Sequence, residues 1–199
     1  MQIIIAALIP AAGASRRMGR DKRSLPYRDR TVLEVTVDTL RQAGARPLVV
    51  VLEPDSPCAG FPGLSDAVLV ENPQPQRGML SSIRVGLAAL PDEVDAVAVL
   101  PGDHPFVPPQ AVQALFARFA RERPALLVPR YPRQRGSAAR GHPLLMAREL
   151  FAEAAACDDA VGLRQLLRRH PERVQTLDLD LPDADDDLDT PEDLKKLER

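Results

Sequence analysis

The chain has 199 residues, 45% hydrophobic and 27% charged, with a formal net charge of −2. This is the profile of a single soluble globular domain spanning 1–199. It argues against a broad basic surface for nucleic acid, so any anion site must be local. Two cysteines, Cys58 and Cys157, build neither a disulfide framework nor a metal-ligand pattern. The apolar N-terminal run is too short to cross a bilayer, and its basic residues follow it, so a reducing cytoplasm and no membrane partner are expected.

In chain order, Ile3–Ile9 is a continuous apolar strand of the kind buried on both faces of a parallel sheet. Thr31 caps a helix, Glu34 completes a capping box, and Gly44 stops it. Leu48–Leu52 and Ala67–Val70 are strands, Ser81–Leu90 a helix and Ala96–Leu100 a strand. A helix opened by Pro108 or Pro109 runs to about Arg121, and the strand Ala125–Val128 follows. Helices near Ala147–Ala156 and Val161–Arg169, a strand Val174–Leu179 and a last helix from Pro191 complete the chain. Strands alternating with helices predict an α/β fold with a mostly parallel sheet wrapped by helices. Tyr131–Arg140, with Arg133, Arg135 and Arg140 but no periodicity, reads as a solvated loop or as a lid whose cations meet a second anionic substrate.

Between the first strand and Lys22 lies Pro10-Ala11-Ala12-Gly13-Ala14-Ser15-Arg16-Arg17-Met18-Gly19-Arg20-Asp21. Small residues admit a ligand close to the backbone, and successive N–H groups with fixed cations form an anion cradle. At the carboxyl end of a strand this predicts a nucleoside triphosphate site. Arg16, Arg17, Arg20, Lys22, Arg23 and Arg28 surround the loop with only Asp21 against them. Asp178 to Asp189 form an acidic counterpart.

Asp103, in Pro101-Gly102-Asp103-His104-Pro105, follows a buried strand and faces the same sheet edge as the loop. It reads as a magnesium ligand or as a turn residue. Asp187-Leu188-Asp189-Thr190-Pro191 is the source of a second carboxylate, and equally a helix start with Thr190 as its cap.

Taken with Leu25-Pro26, Asn72-Pro73, Gly78 with Ser81-Ser82, Gly86-Leu87, Gly141-His142-Pro143 and Asp187 through Leu194, these motifs resemble the MobA-like nucleotidyltransferases, which attach a nucleotide to the molybdenum cofactor. The resemblance implies a three-layer α/β/α sandwich of the nucleotide-diphospho-sugar transferase type, Mg2+, an NTP and a phosphorylated acceptor. It implies that Pro10, Ala11, Ala12, Gly13, Ala14, Ser15, Arg17, Lys22, Asn72, Gly78 and Ser82 bind the nucleotide. Lys22, Arg16 and Asp103 are the implied catalytic residues. Asp103 with Asp189 (or Asp187) would hold the metal, and Ser81, His104 and His142 would face the acceptor.

Ala11-Ala12-Gly13 resembles the cytidylyl branch, where the guanylyl branch has Ala-Gly-Gly. That implies CTP and a pterin-type acceptor, with a recipient molybdoenzyme or its chaperone as a further partner. Pro10, His104 and the segment Cys157 to Arg164 depart from the family pattern. The alternatives are a guanylyl- or other NTP transferase, or a non-catalytic carrier that delivers the cofactor.

Overall fold

The computed structural model describes residues 3–13, 21–132 and 139–182 together with Ala184 and Leu188, with residues 139–140 described by their backbone alone. The predicted α/β alternation is present. Strand β1 (Ile5–Ala11) is followed by a two-residue hairpin, β2 (Pro26–Tyr27) and β3 (Arg30–Thr31), then helix α1 (Val32–Gln42) and β4 (Leu48–Leu52). Next come β5 (Val68–Glu71), α2 (Met79–Ala88), β6 (Ala96–Val99), α3 (Pro109–Glu122) and β7 (Leu126–Tyr131). The order ends with β8 (Ala139–Arg140), β9 (Leu144–Ala147), α4 (Phe151–Ala155), α5 (Arg164–Arg169) and β10 (Val174–Asp178).

The main sheet runs β10-β7-β9-β6-β1-β4-β5, with β8 beside β7. Pairs β1–β4, β1–β6, β4–β5 and β7–β10 are parallel, whereas β9 runs antiparallel to β6 and β7. Alternate residues of β1 face opposite layers. Ile5, Ala7 and Ile9 pack with Leu33, Val37 and Leu40 of α1 and with Leu115 and Phe119 of α3. Ala6 and Leu8 pack with Leu80, Ile83 and Leu87 of α2, Ala154 of α4 and Leu166 of α5. The result is three layers, with helices on both faces of a mostly parallel sheet.

Several boundaries differ from the expectations. β1 extends two residues beyond Ile9, through Pro10 and Ala11. Proline is tolerated there because its missing N–H faces the β6 side, where the ladder ends at the Leu8–Val99 pair, and its carbonyl is met by the Gly102 N–H at 3.1 Å. The apolar run Leu144–Ala147 forms β9, and only Phe151–Ala155 of the expected 147–156 helix is α-helical. Gly162 adopts φ +67°, so α5 begins at Arg164 rather than Val161. Tyr131 and residues 139–140 belong to an antiparallel β7–β8 pair rather than a loop, and 133–138 lie outside the described residues. The expected last helix from Pro191 also lies outside them.

The capping box is formed as expected. Thr31 Oγ1 accepts from the Glu34 N–H at 3.3 Å, and Glu34 Oε2 accepts from the Thr31 N–H at 2.9 Å. Helix α2 lies against the sheet through Gly86, where a Cβ would come within 2.0 Å of Leu8 Cδ1.

Candidate active site

A cavity of about 240 Å³ opens at the carboxyl ends of β1 and β6. Three chain segments converge on it: the end of β1 with Ala12 and Gly13, the turn after β6 with Pro101, Gly102 and Asp103, and the start of α2 with Gly78, Met79 and Ser82. Lys22, Arg23 and Pro75 complete the lining. A parallel sheet explains the convergence, because β1 and β6 run the same way and release their following loops at one edge.

At Gly13 an added Cβ would meet nothing within 4 Å among the described residues. Gly78 caps α2 with φ +91°, a conformation that favours glycine, and directs the helix N-terminus toward the cavity. Gly102 is held tightly: a Cβ there would come within 3.0 Å of Leu33 Cδ1 and 3.1 Å of Ala11 Cβ.

Lys22 sits in a short 3-10 turn, Lys22–Ser24, and is itself buried. Asp21 caps that turn by accepting from the Arg23 N–H at 3.1 Å. The Arg23 guanidinium, 6% exposed as a residue, is not the free loop cation that the charge pattern suggested. Its Nε and Nη2 donate to the two Asp21 oxygens at 2.7 and 2.8 Å, and Nη1 and Nη2 donate to the two Glu53 oxygens, each at 2.6 Å. Burial pushes the Asp21 carboxyl up, but the Arg23 hydrogen bonds and charge outweigh that and hold it below the usual range. Burial likewise lowers Arg23, and its two carboxylate partners more than reverse this. Cys58 Sγ lies 3.7 Å from Asp21 Oδ2, and burial pushes that thiol up. Arg28 lies over the Tyr27 ring at 5.1 Å.

The structure brings together Pro10, Ala11, Ala12, Gly13, Lys22, Gly78, Ser82 and Asp103. Asn72 and Ser81 do not line the cavity. Asn72 is 1% exposed and one hydrogen bond back, with Nδ2 donating to Ser81 Oγ at 2.8 Å and Ser82 Oγ at 2.9 Å. His104 and His142 also stand outside the lining but against each other, their ring centroids 4.6 Å apart. His104 Nε2 lies 3.9 Å from Asp103 Oδ1, and the Tyr131 hydroxyl donates to the His142 carbonyl at 2.9 Å. Ala14, Ser15, Arg16, Arg17, Asp187 and Asp189 lie outside the described residues.

Glu53, which holds Arg23 at the cavity wall, was not singled out from the sequence. Glu53 carried a readable signal, a carboxylate at the carboxyl end of a buried strand, the same signal that marked Asp103. The atypical segment after Cys157 is fastened to the turn before α2: Asp159 accepts from Arg77 Nε at 2.8 Å and also pairs with Arg84.

The MobA-like NTP transferase domain model matches residues 7–174, which contain all of the cavity lining. The chain belongs to the MobA-like NTP transferase family. It is 30% identical to nicotine blue oxidoreductase of Paenarthrobacter nicotinovorans, over 97% of this chain and 96% of that one. It is 24% identical to the molybdenum cofactor cytidylyltransferase of Escherichia coli K12, over 95% and 93% of the two chains. Among solved structures, Rv0371c of Mycobacterium tuberculosis H37Rv superposes with a TM-score of 0.81 at 30% identity, over the whole of both chains. Among the described residues, no helix is long and apolar enough to cross a membrane.

Proposed function

We propose that this chain transfers CMP from CTP to a phosphorylated, pterin-type acceptor and releases pyrophosphate. The observation that carries the reading is the single cavity shared by the backbone at Ala12–Gly13, Lys22 and Asp103. An anion cradle, a fixed cation and a carboxylate within one cleft are what a triphosphate and its counter-cation require.

In this mechanism the backbone of Ala12, Gly13 and Ala14 would receive the β- and γ-phosphates, with Arg16 and Arg17 nearby. Lys22 lies against the α-phosphate. An acceptor phosphate oxygen attacks the α-phosphorus in line, and the bond to the bridging oxygen of the β-phosphate breaks. The acceptor is already a nucleophile, so the protein's work is positioning and neutralising charge rather than strong general-base catalysis.

The residues fit a divalent cation shared with the substrate. Asp103 offers hard oxygen ligands on the cavity wall with its side chain 32% exposed. No cluster of three or more His, Cys, Asp or Glu able to hold a metal alone occurs among the described residues. One or two carboxylates plus phosphate oxygens is the ligand set magnesium commonly takes. Asp189 or Asp187 would supply the second carboxylate. Leu188, between them in the chain, is buried in one cluster with Tyr27 and Phe106, the latter three residues after Asp103. A manganese complex of Rv0371c supports the same expectation. When bound, the cation would supply charge neutralisation for the phosphates.

The test is pyrophosphate release from CTP, GTP and ATP with Mg2+ and molybdopterin. Release with CTP supports the reading, and release with GTP alone supports the guanylyl alternative. Nucleotide binding without release would favour a carrier.

The full-length relative named as an oxidoreductase supports a second reading. The same phosphate-binding backbone would then hold a reduced dinucleotide as electron donor. Oxidation of NADH or NADPH in the presence of a quinonoid dye, without pyrophosphate release, would establish that reading instead.

A further inference from the structure

We infer that Thr39 of α1 is a positioning residue for Asp103, and that its hydroxyl governs how tightly the site holds a divalent cation. This rests on the cation reading above and adds to it a residue that does not line the cavity.

Helix α1 turns two threonines toward the protein interior, Thr36 and Thr39, which are 0% and 4% exposed. Both are β-branched and polar, so neither helix propensity nor apolar packing calls for them there. Their hydroxyls are used differently. Thr36 Oγ1 lies 2.9 Å from the Val32 carbonyl, one turn back in its own helix, and 3.4 Å from the Gly102 carbonyl. Its one proton goes to the nearer acceptor. Thr39 Oγ1 donates out of the helix, to the Val107 carbonyl at 3.1 Å. Val107 belongs to the segment that leads from Asp103 to α3, so a buried hydroxyl of one helix orders the connection into another.

That connection is stiff enough to pass the constraint along. In Asp103-His104-Pro105-Phe106-Val107-Pro108-Pro109 each proline fixes its own φ, and His104 and Val107 are each restricted by the proline that follows. At the near end Gly102 leaves no room for a side chain beside Leu33 and Ala11, and its N–H donates to the Pro10 carbonyl at 3.1 Å. In the middle Phe106 meets the Tyr27 ring edge-on, with centroids 5.6 Å apart. Thr39 holds the far end. Asp103 is thus carried on the cavity wall by a span secured at both ends. Supports behind a metal ligand raise affinity by limiting where its oxygens can point.

The test compares the binding of α,β-methylene-CTP alone, by calorimetry, with the binding of its Mn2+ complex, by water-proton relaxation. Wild type, Thr39→Val, Thr39→Ser and Thr36→Val are measured side by side. T39V keeps the shape of the side chain but loses the donor. It should bind the metal-free analogue as wild type does and the Mn2+ complex about three- to tenfold more weakly, one neutral hydrogen bond's worth. T39S keeps the hydroxyl and should match wild type with both. T36V also loses a buried hydroxyl, yet one spent inside its own helix, so it should match wild type too. An equal loss with both forms of the analogue in T39V would overturn the inference, as would no loss, or the same selective loss in T36V or T39S. Should T39V fail to fold, Thr39→Cys, with a weak donor of similar size, decides in its place. Wild type that binds the analogue equally with and without Mn2+ would overturn the cation reading and this inference together. Wild type that binds neither form would overturn the nucleotide reading as well.

Discussion

Lys22 and Asp103 border the same cavity, one carried by the 3-10 turn that follows the β1 loop and the other by the turn after β6. The cavity's lysine and carboxylate thus follow two strands that are neighbours in space and distant in sequence. Lys22→Ala should lower the rate of pyrophosphate release by about 10²-fold or more, comparable to removing one preorganised donor, with a smaller effect on CTP binding. Asp103→Asn should instead weaken the affinity for Mg2+, raising the concentration needed for half-maximal rate. Near-normal turnover in K22A would remove Lys22 from the mechanism.

Two glycines separate folding from binding. At Gly86 a Cβ would approach Leu8 Cδ1 to 2.0 Å and Val51 Cγ2 to 3.0 Å, both in the packed core. Gly86→Ala should cost about 1–3 kcal/mol by overpacking, lowering Tm by roughly 2–4 °C per kcal/mol. At Gly13 no described residue comes within 4 Å of an added Cβ, so Gly13→Ala should leave Tm unchanged and lower CTP affinity about tenfold. A thermal melt with and without CTP measures both effects. A fall in Tm for G13A without nucleotide would show that this glycine is structural.

These contrasts also show what was readable beforehand. The strands Leu48–Leu52 and Ala96–Val99 were legible because buried parallel strands are continuous apolar runs. Helix α1 was legible because Thr31 and Glu34 satisfy a local rule. β9 was not, since a four-residue apolar run looks the same in a strand and in a helix, and the choice rests on pairing with β6 and β7. The hairpin β2–β3 is too short to show a period. At the site, the meeting of Ala11–Gly13 with Asp103 could be read, because both follow buried strands that end at one sheet edge. The neutralisation of Arg23 could not, because Glu53 comes from another strand's end.

The pH dependence of stability follows from the held carboxylates. Burial pushes Asp21 and Glu34 up, but Arg23 at the first, and the backbone N–H groups of Thr31 and Gly63 at the second, more than reverse it. Both fold with depressed values, so their stabilisation is fully present above the unfolded value of about 4 and drains as pH falls through the folded one. The urea midpoint should therefore be level above about pH 5 and fall below about pH 4. Thr31→Ala, which removes a hydroxyl that both accepts from and donates to Glu34, should cost about 1 kcal/mol near neutrality and flatten the acid limb. An acid limb of unchanged steepness would mean that Glu34 is not one of the groups driving it.

Arg23 poses a sharper problem, because it is buried between two carboxylates and also flanks Lys22 in the same short turn. Removing it strands Asp21 and Glu53 against each other. Arg23→Met should therefore destabilise by about 3 kcal/mol, the lower end for a broken buried pair, since both acids keep about a quarter of their side-chain surface. Arg23→Lys keeps the charge but loses the fork that meets both acids, so it should fall between wild type and R23M. The triple variant R23M/D21N/E53Q leaves no unpaired charge and should recover most of the stability. If the network's role is to hold Lys22 against the α-phosphate, turnover in the triple variant should stay depressed while its urea midpoint returns. Recovery of both together would mean that Arg23 serves the fold alone.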